Sequence, residues 1–227
     1  LKLARSDTYH GTKAASNVVE FMQYSNADAL SKALTDGSLD MAAPVSASTA
    51  TGLNGKDGLT VKEGATTDKV LLAYNNGTDS LLSDEQARKA FRYQIDAAGI
   101  ASAQPDAAGA LGGPISLLEP GYEDLTGLYP HDENQAGQMF SYFGAQYLTT
   151  VNLVVPEEYR SLAETIKQQI ERQPRPTVNL EVLSDEDYAK RIKDGKWELT
   201  VMSMDGTDDA GIFADPDSLL HYDHTEA

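Results

Sequence analysis

KVLLAYNNGTDSLLSDEQARKAFRYQIDAAGI, residues 69–100, is the stretch whose reading decides the fold. Lys69–Tyr74 is a short apolar run of strand length, and Asn76-Gly77 behind it is a strong turn pair. Ser83 with Gln86 three residues on forms a capping box, which predicts a helix running through Ala97. Its apolar face is Ala87, Ala90, Phe91 and Ile95, with Arg88 and Arg92 facing away. Arg92 and Asp96, four residues apart, predict an intrahelical ion pair. A strand, a turn and an amphipathic helix in succession make the working unit of an α/β protein.

Downstream, LGGPISLLEPGYEDL (residues 111–125) lies in a Gly-, Pro- and Ala-rich region from Ala97 to Pro130. This region reads as an ordered irregular loop anchored by Tyr122 and Tyr129. Asp132 caps a helix to Phe143, stopped by Gly144, and Leu148–Val155 is a strand. Pro156 suits the start of a helix over Glu157–Arg172, with Leu162, Ile166 and Ile170 on its apolar stripe. Thr177–Leu183 is the next strand, Ser184 caps the helix Asp185–Lys193, Gly195 stops it, and Trp197–Met204 is a further strand. Strands alternating with helices predict parallel pairing through right-handed crossovers.

Upstream, Val18–Tyr24 reads as a strand, Ser25 or Asn26 as the cap of the helix Ala27–Thr35, Gly37 as its stop and Leu39–Val45 as a second strand. Ser46–Gly58 is a loop or weak helix, and Leu59–Glu63 a strand. The whole chain, residues 1–227, is expected to be one α/β domain with a mixed, mostly parallel sheet flanked by helices. Trp197, Met22, Met202 and Met204 are expected to fill core space.

Composition narrows the function. Lys and Arg number 18 against 35 Asp and Glu, for a net charge of −17. No cation falls between Arg92 and Arg160 and none follows Lys196, so a phosphate backbone would be repelled and nucleic acid is not an expected partner. There is no cysteine, which excludes disulfides, thiol nucleophiles and thiolate metal sites. No apolar run approaches the ~20 residues that cross a bilayer. The sequence opens at Leu1 without the pattern of an export leader and is expected to be an interior piece of something longer.

Catalytic motifs are missing: there is no Gly-x-Ser-x-Gly elbow, His-Glu-x-x-His helix or phosphate-binding Gly-Lys-Ser/Thr loop. His10, His131, His221 and His224 fall in loops or near the ends, so no enzyme activity is expected. His221 and His224 with Asp217 and Asp223 lack diagnostic metal spacing, and Asp205, Asp208, Asp209, Asp215 and Asp217 lack the pattern of a calcium loop. No metal and no cofactor is expected.

The order of these motifs resembles the extracellular solute-binding proteins of ABC importers, family 5, which includes oligopeptide, dipeptide and nickel binders. The residues that carry the resemblance run from Arg5–Gly11, through Ala33, Leu34, Gly37 and Asp40 and the 69–125 stretch, to Gly195, Lys196, Trp197, Glu198 and Leu199, then Asp215-Pro216 and Leu219. The resemblance implies a lobe of the type II periplasmic-binding-protein fold, here the second lobe with the first missing. It further implies an extracytoplasmic location, periplasmic or as a Gram-positive lipoprotein, and a membrane permease as partner. The solute would be a peptide laid along the last strand, with its amino terminus on a nearby acid. The residues so implicated are Ser203, Met204, Asp205, Asp208, Asp209 and Asn75. Asn75 also reads as a turn former, and a non-peptide solute (a nickel complex or a sugar) or a surface scaffolding role stays open.

Overall fold

A computed structural model describes residues 1–142, 144–204, 215 and 218. The chain divides into two compact units, Leu1–Glu63 and Gly64–Ala227.

In the first unit, β1 (Lys2–Ala4) pairs antiparallel with β2 (Val18–Glu20). α1 (Ala27–Thr35) starts where the Asn26 side chain accepts from the Ala29 N–H at 2.9 Å. Gly37, at φ +75°, supplies the left-handed turn behind it. α2 (Ala47–Leu53) is capped by Ser46. Three expectations fail here. The strand from Val18 ends at Glu20 instead of Tyr24, and neither Leu39–Val45 nor Leu59–Glu63 forms a strand. An alternating pattern becomes a strand only when another strand lies beside it, and among the described residues none does. Met22, 60% exposed, fills no core space.

The second unit holds the sheet. β3 (Lys69–Tyr74) leads into α3 (Glu85–Gln94), then α4 (Ala97–Ala103), α5 (Glu133–Ser141) and β4 (Thr150–Pro156). After one 3-10 turn, Glu157–Tyr159, come α6 (Arg160–Ile170), β5 (Thr177–Leu183), α7 (Asp185–Lys193) and β6 (Leu199–Met204). The strand order is β3-β6-β4-β5, with β4 parallel to both β5 and β6 and β3 antiparallel to β6. The sheet is therefore mixed and mostly parallel, and the β4-α6-β5-α7-β6 run follows the expected alternation.

Period-two alternation assigns the two faces. Val151, Leu153 and Val155 of β4, Val178 of β5 and Leu199 and Val201 of β6 pack with Ala87, Ala90 and Phe91 of α3, Met139 and Phe140 of α5 and Ile166 and Ile170 of α6. Val154 and Ala73 point the other way, against Ile192 of α7 and the buried Trp197, whose indole N–H donates to the Ile192 carbonyl at 3.3 Å. Trp197 and Met204 are core residues, as expected.

The helix at Ser83 departs from its reading. Asp84, not Ser83, is the cap, accepting from the Gln86 N–H at 2.8 Å. The helix stops at Gln94, since the Asp96 N–H leaves the helical ladder and donates to the Gln169 Oε1 at 2.8 Å. The Gln94 side chain is itself wholly buried. Its Nε2 donates to the Gln169 carbonyl at 2.6 Å and its Oε1 accepts from Gln173 at 2.9 Å. Asp96 then caps α4 through the Gly99 N–H. Its expected partner Arg92 instead lies over the Tyr129 ring, 5.5 Å from the centroid, and donates to the Gly112 carbonyl at 3.2 Å.

Candidate functional site

β6 is a central strand, yet its two neighbours cover it unequally. β3 pairs with it along its whole length, from Tyr74 opposite Leu199 to Lys69 opposite Met204. On the other side β4 pairs only at Leu153 opposite Leu199 and Val154 opposite Thr200. The reason is chemical. Pro156, the last residue of β4, carries no N–H, cannot extend the ladder, and turns the chain into the 3-10 turn. The Val201 carbonyl finds the Tyr188 hydroxyl at 3.5 Å, and β6 runs on to Met204 with no paired residue of β4.

The direction of the main-chain groups on this overhang follows from the ladder. Asn75 N–H donates to the Glu198 carbonyl at 2.9 Å, which makes that opposed couple the hydrogen-bonded kind. In an antiparallel ladder the kinds alternate. Residues 200, 202 and 204 therefore turn their N–H and C=O toward β3, and Leu199, Val201 and Ser203 turn theirs toward the β4 side. Ser203 is exposed, opposite Val70 on the strand-pair face, while Met204 is buried opposite Lys69. Ser203 thus presents its backbone where the β4 ladder has ended.

The residues singled out from the sequence do not form one cluster. Ser203 and Met204 share the overhang. Asn75 stands at the far end of the same strand pair, level with Glu198. Its amide Nδ2 donates to the Gly195 and Trp197 carbonyls at 3.1 and 2.8 Å, and its Oδ1 accepts from the Gly77 N–H at 3.0 Å. The turn-forming reading of Asn75 thus accounts for both ends of its side chain. Asp205, Asp208 and Asp209 lie outside the described residues.

Sequence reasoning missed what flanks the overhang. Lys69, with its side chain 1% exposed, forms a 2.5 Å ion pair with Glu119, whose side chain is 10% exposed. The same Glu119 oxygen accepts from the Ser116 N–H at 2.6 Å. These bonds, Lys69 first, hold the Glu119 carboxyl down to a pKa of about 2. The Ser116 hydroxyl is buried with no hydrogen-bond partner among the described residues. The pair fastens the 111–125 loop to the start of β3, directly opposite Met204. A lysine opening an apolar strand was the one visible signal; its partner lies 50 positions away, beyond any local spacing rule.

A mixed sheet with helices on both faces and an overhanging central strand is the architecture of a periplasmic-binding-protein lobe. The chain belongs to the bacterial extracellular solute-binding proteins, family 5: the family model described as the Middle region matches residues 1–223. That is a family of binding proteins, not of enzymes. Among solved structures the chain is similar to the oligopeptide-binding protein AppA from Bacillus subtilis in complex with a nonapeptide, at 16% identity and TM-score 0.63 over 92% of this chain and 45% of that one. It is also similar to DppA from Helicobacter pylori in complex with the peptide STSA, at 17% identity and TM-score 0.68 over 90% and 40%. A third likeness is to NikA from Brucella suis in complex with Fe(III)-EDTA, at 16% identity and TM-score 0.69 over 89% and 44%. The chain therefore spans less than half the length of these proteins. No curated protein matches the sequence. Among the described residues no helix is long and apolar enough to cross a membrane.

Proposed function

We propose that this chain is the second lobe of an extracytoplasmic receptor that hands peptides to an ABC permease, a first lobe closing over the solute from the opposite side. The overhang of β6 carries the reading. An extended peptide laid beside Val201–Met204 takes the place left where β4 stops at Pro156, pairing main chain with main chain without consulting side chains. Such pairing is sequence-tolerant, as an importer of many peptides requires. An ammonium terminus is then held by a carboxylate among Asp205, Asp208 and Asp209, the acids that follow β6 in the sequence, through a charge-assisted bond. Likeness to AppA and DppA, both solved with peptides, supports peptide as the solute. Likeness to NikA with Fe(III)-EDTA favours a second reading, a chelated metal. The receptor works in the periplasm or on the cell surface as a lipoprotein.

The test is thermal denaturation of the two-lobed protein against separate pools of short peptides, sugars and nickel complexes, since a ligand of the native state raises Tm. A rise with peptides that disappears when Asp205, Asp208 and Asp209 are all changed to Asn is the expected result. A rise only with nickel complexes or sugars discards the peptide, and no rise with any pool discards the transport reading. The isolated chain, with half the contacts, should bind at least ~100-fold more weakly, from a loss of roughly 3 kcal/mol.

A further inference from the structure

A short run of hydroxyls ends where β4 gives out. Thr200, a wholly buried residue of β6, donates its Oγ1 proton to the Val154 carbonyl at 2.7 Å, and a carbonyl can only accept. Thr200 Oγ1 also lies 2.9 Å from the Tyr188 hydroxyl. With its own proton committed, it accepts in that bond and Tyr188 donates. The direction of both links is thereby fixed, from Tyr188 of α7 to Thr200 to Val154. Tyr188 Oη has spent its one proton and keeps a lone pair with which to accept.

The same Oη is 3.5 Å from the Val201 carbonyl, which turns toward the β4 side. Val154 stands opposite Thr200, so the next donor to Val201 along a parallel ladder is residue 156, and Pro156 has no N–H to give. Two acceptors are therefore left side by side where the space beyond β4 opens. Tyr188 is half-buried there. Burial first, and the fields of Tyr159 and Glu158 after it, raise the phenol pKa against the pull of the Thr200 bond. The hydroxyl thus keeps its proton at neutral pH, and the run of bonds keeps its direction.

We propose that Tyr188 is a solute-binding residue: its Oη and the Val201 carbonyl together receive one main-chain N–H of an extended solute laid along the overhang. The inference rests on the reading of β6 as the peptide site and adds to it a side chain reached from α7. It also gives that site a selectivity. A solute residue without an N–H at this position, proline or an N-methylated residue, leaves both acceptors unpaired and is bound more weakly.

Calorimetric titration of the two-lobed protein with short alanine peptides, and with the same peptides N-methylated at one peptide nitrogen at a time, tests it. Tyr188→Phe removes only the hydroxyl, leaves Thr200 its bond to Val154, and should weaken binding about fivefold, the scale of one neutral hydrogen bond. One methylated position should lose affinity in the parent, and that loss should be about fivefold smaller in Tyr188→Phe, because the two changes remove the same contact. Methylation losses that are equal in parent and variant at every position overturn the inference, since a purely structural tyrosine gives that result. Unchanged binding by Tyr188→Phe overturns it too. Should that variant fail to fold, Thr200→Val decides the matter. It frees the Tyr188 proton to turn to the Val201 carbonyl in competition with the solute, and should weaken binding by a similar factor; unchanged binding again overturns the inference. If no alanine peptide binds the folded parent, the peptide reading of the overhang falls, and this inference with it.

Discussion

Two prolines placed one residue apart test the geometry on which the site rests. Met202, opposite Leu71, turns its N–H toward β3 by the ladder alternation. A proline there removes a sheet bond, orphans the Leu71 carbonyl and drives its ring into the pair, at a cost of about 3 kcal/mol or more. Ser203 turns its N–H to the side where β4 has ended, and an edge-facing N–H is where a strand tolerates proline. Met202→Pro should therefore lower Tm by about 6–12 °C and Ser203→Pro by under about 4 °C, at 2–4 °C per kcal/mol for a chain of this size. Differential scanning calorimetry of both variants beside the parent reads this directly. In the two-lobed protein, Ser203→Pro should also weaken peptide binding several-fold, since one main-chain bond is worth about 1 kcal/mol. Equal destabilisation by the two prolines, or a greater loss at Ser203, would refute the assignment of the overhang.

The Lys69–Glu119 pair makes acid stability depend on one carboxyl. Its folded pKa of about 2 lies below the ordinary 4.5, so its stabilisation is fully present above pH 4.5 and is lost as pH falls toward 2. Denaturant unfolding across that window should show a flatter acid limb for Glu119→Gln than for the parent, and identical limbs would contradict the pairing. Gln94→Met keeps the volume but removes two side-chain bonds, leaving the Gln169 carbonyl the Arg172 N–H at 3.4 Å and Gln173 its bond to the Glu133 carbonyl at 2.9 Å. About 1–2 kcal/mol should be lost in urea unfolding, the scale of one or two net hydrogen bonds, and a loss under about 0.5 kcal/mol would mean that the α3–α6 connection contributes little.

How much of this was legible depended on whether the cause was local. α1, β3, β5 and α7 occupy the bounds read from caps, glycine stops and apolar runs, because Asn26, Ser184, Gly37 and Gly195 act within a few residues of themselves. The 39–45 and 59–63 segments had the pattern of strands and, among the described residues, no neighbour to pair with. α3 was read too long because nothing near Gln94 announces that the Asp96 N–H goes to the Gln169 side chain, 73 positions on. Arg92 was assigned to Asp96 by spacing, but Asp96 had a nearer use at the start of α4, and an aromatic ring and a loop carbonyl took the guanidinium.

By itself the sequence determined the alternation of strands and helices from β4 to β6, the acidic character of the chain, and the motif order that belongs to family 5. Those rest on short-range sterics, capping and charge. Only the tertiary structure decided that β6 lies between β3 and β4, and that Pro156 leaves its last residues without a β4 partner. It also set Asn75 and Ser203 at opposite ends of one strand pair and sealed Lys69 against Glu119. Each is a matter of register between distant segments, where a shift of one residue would turn every side chain to the other face, and no local pattern carries that information.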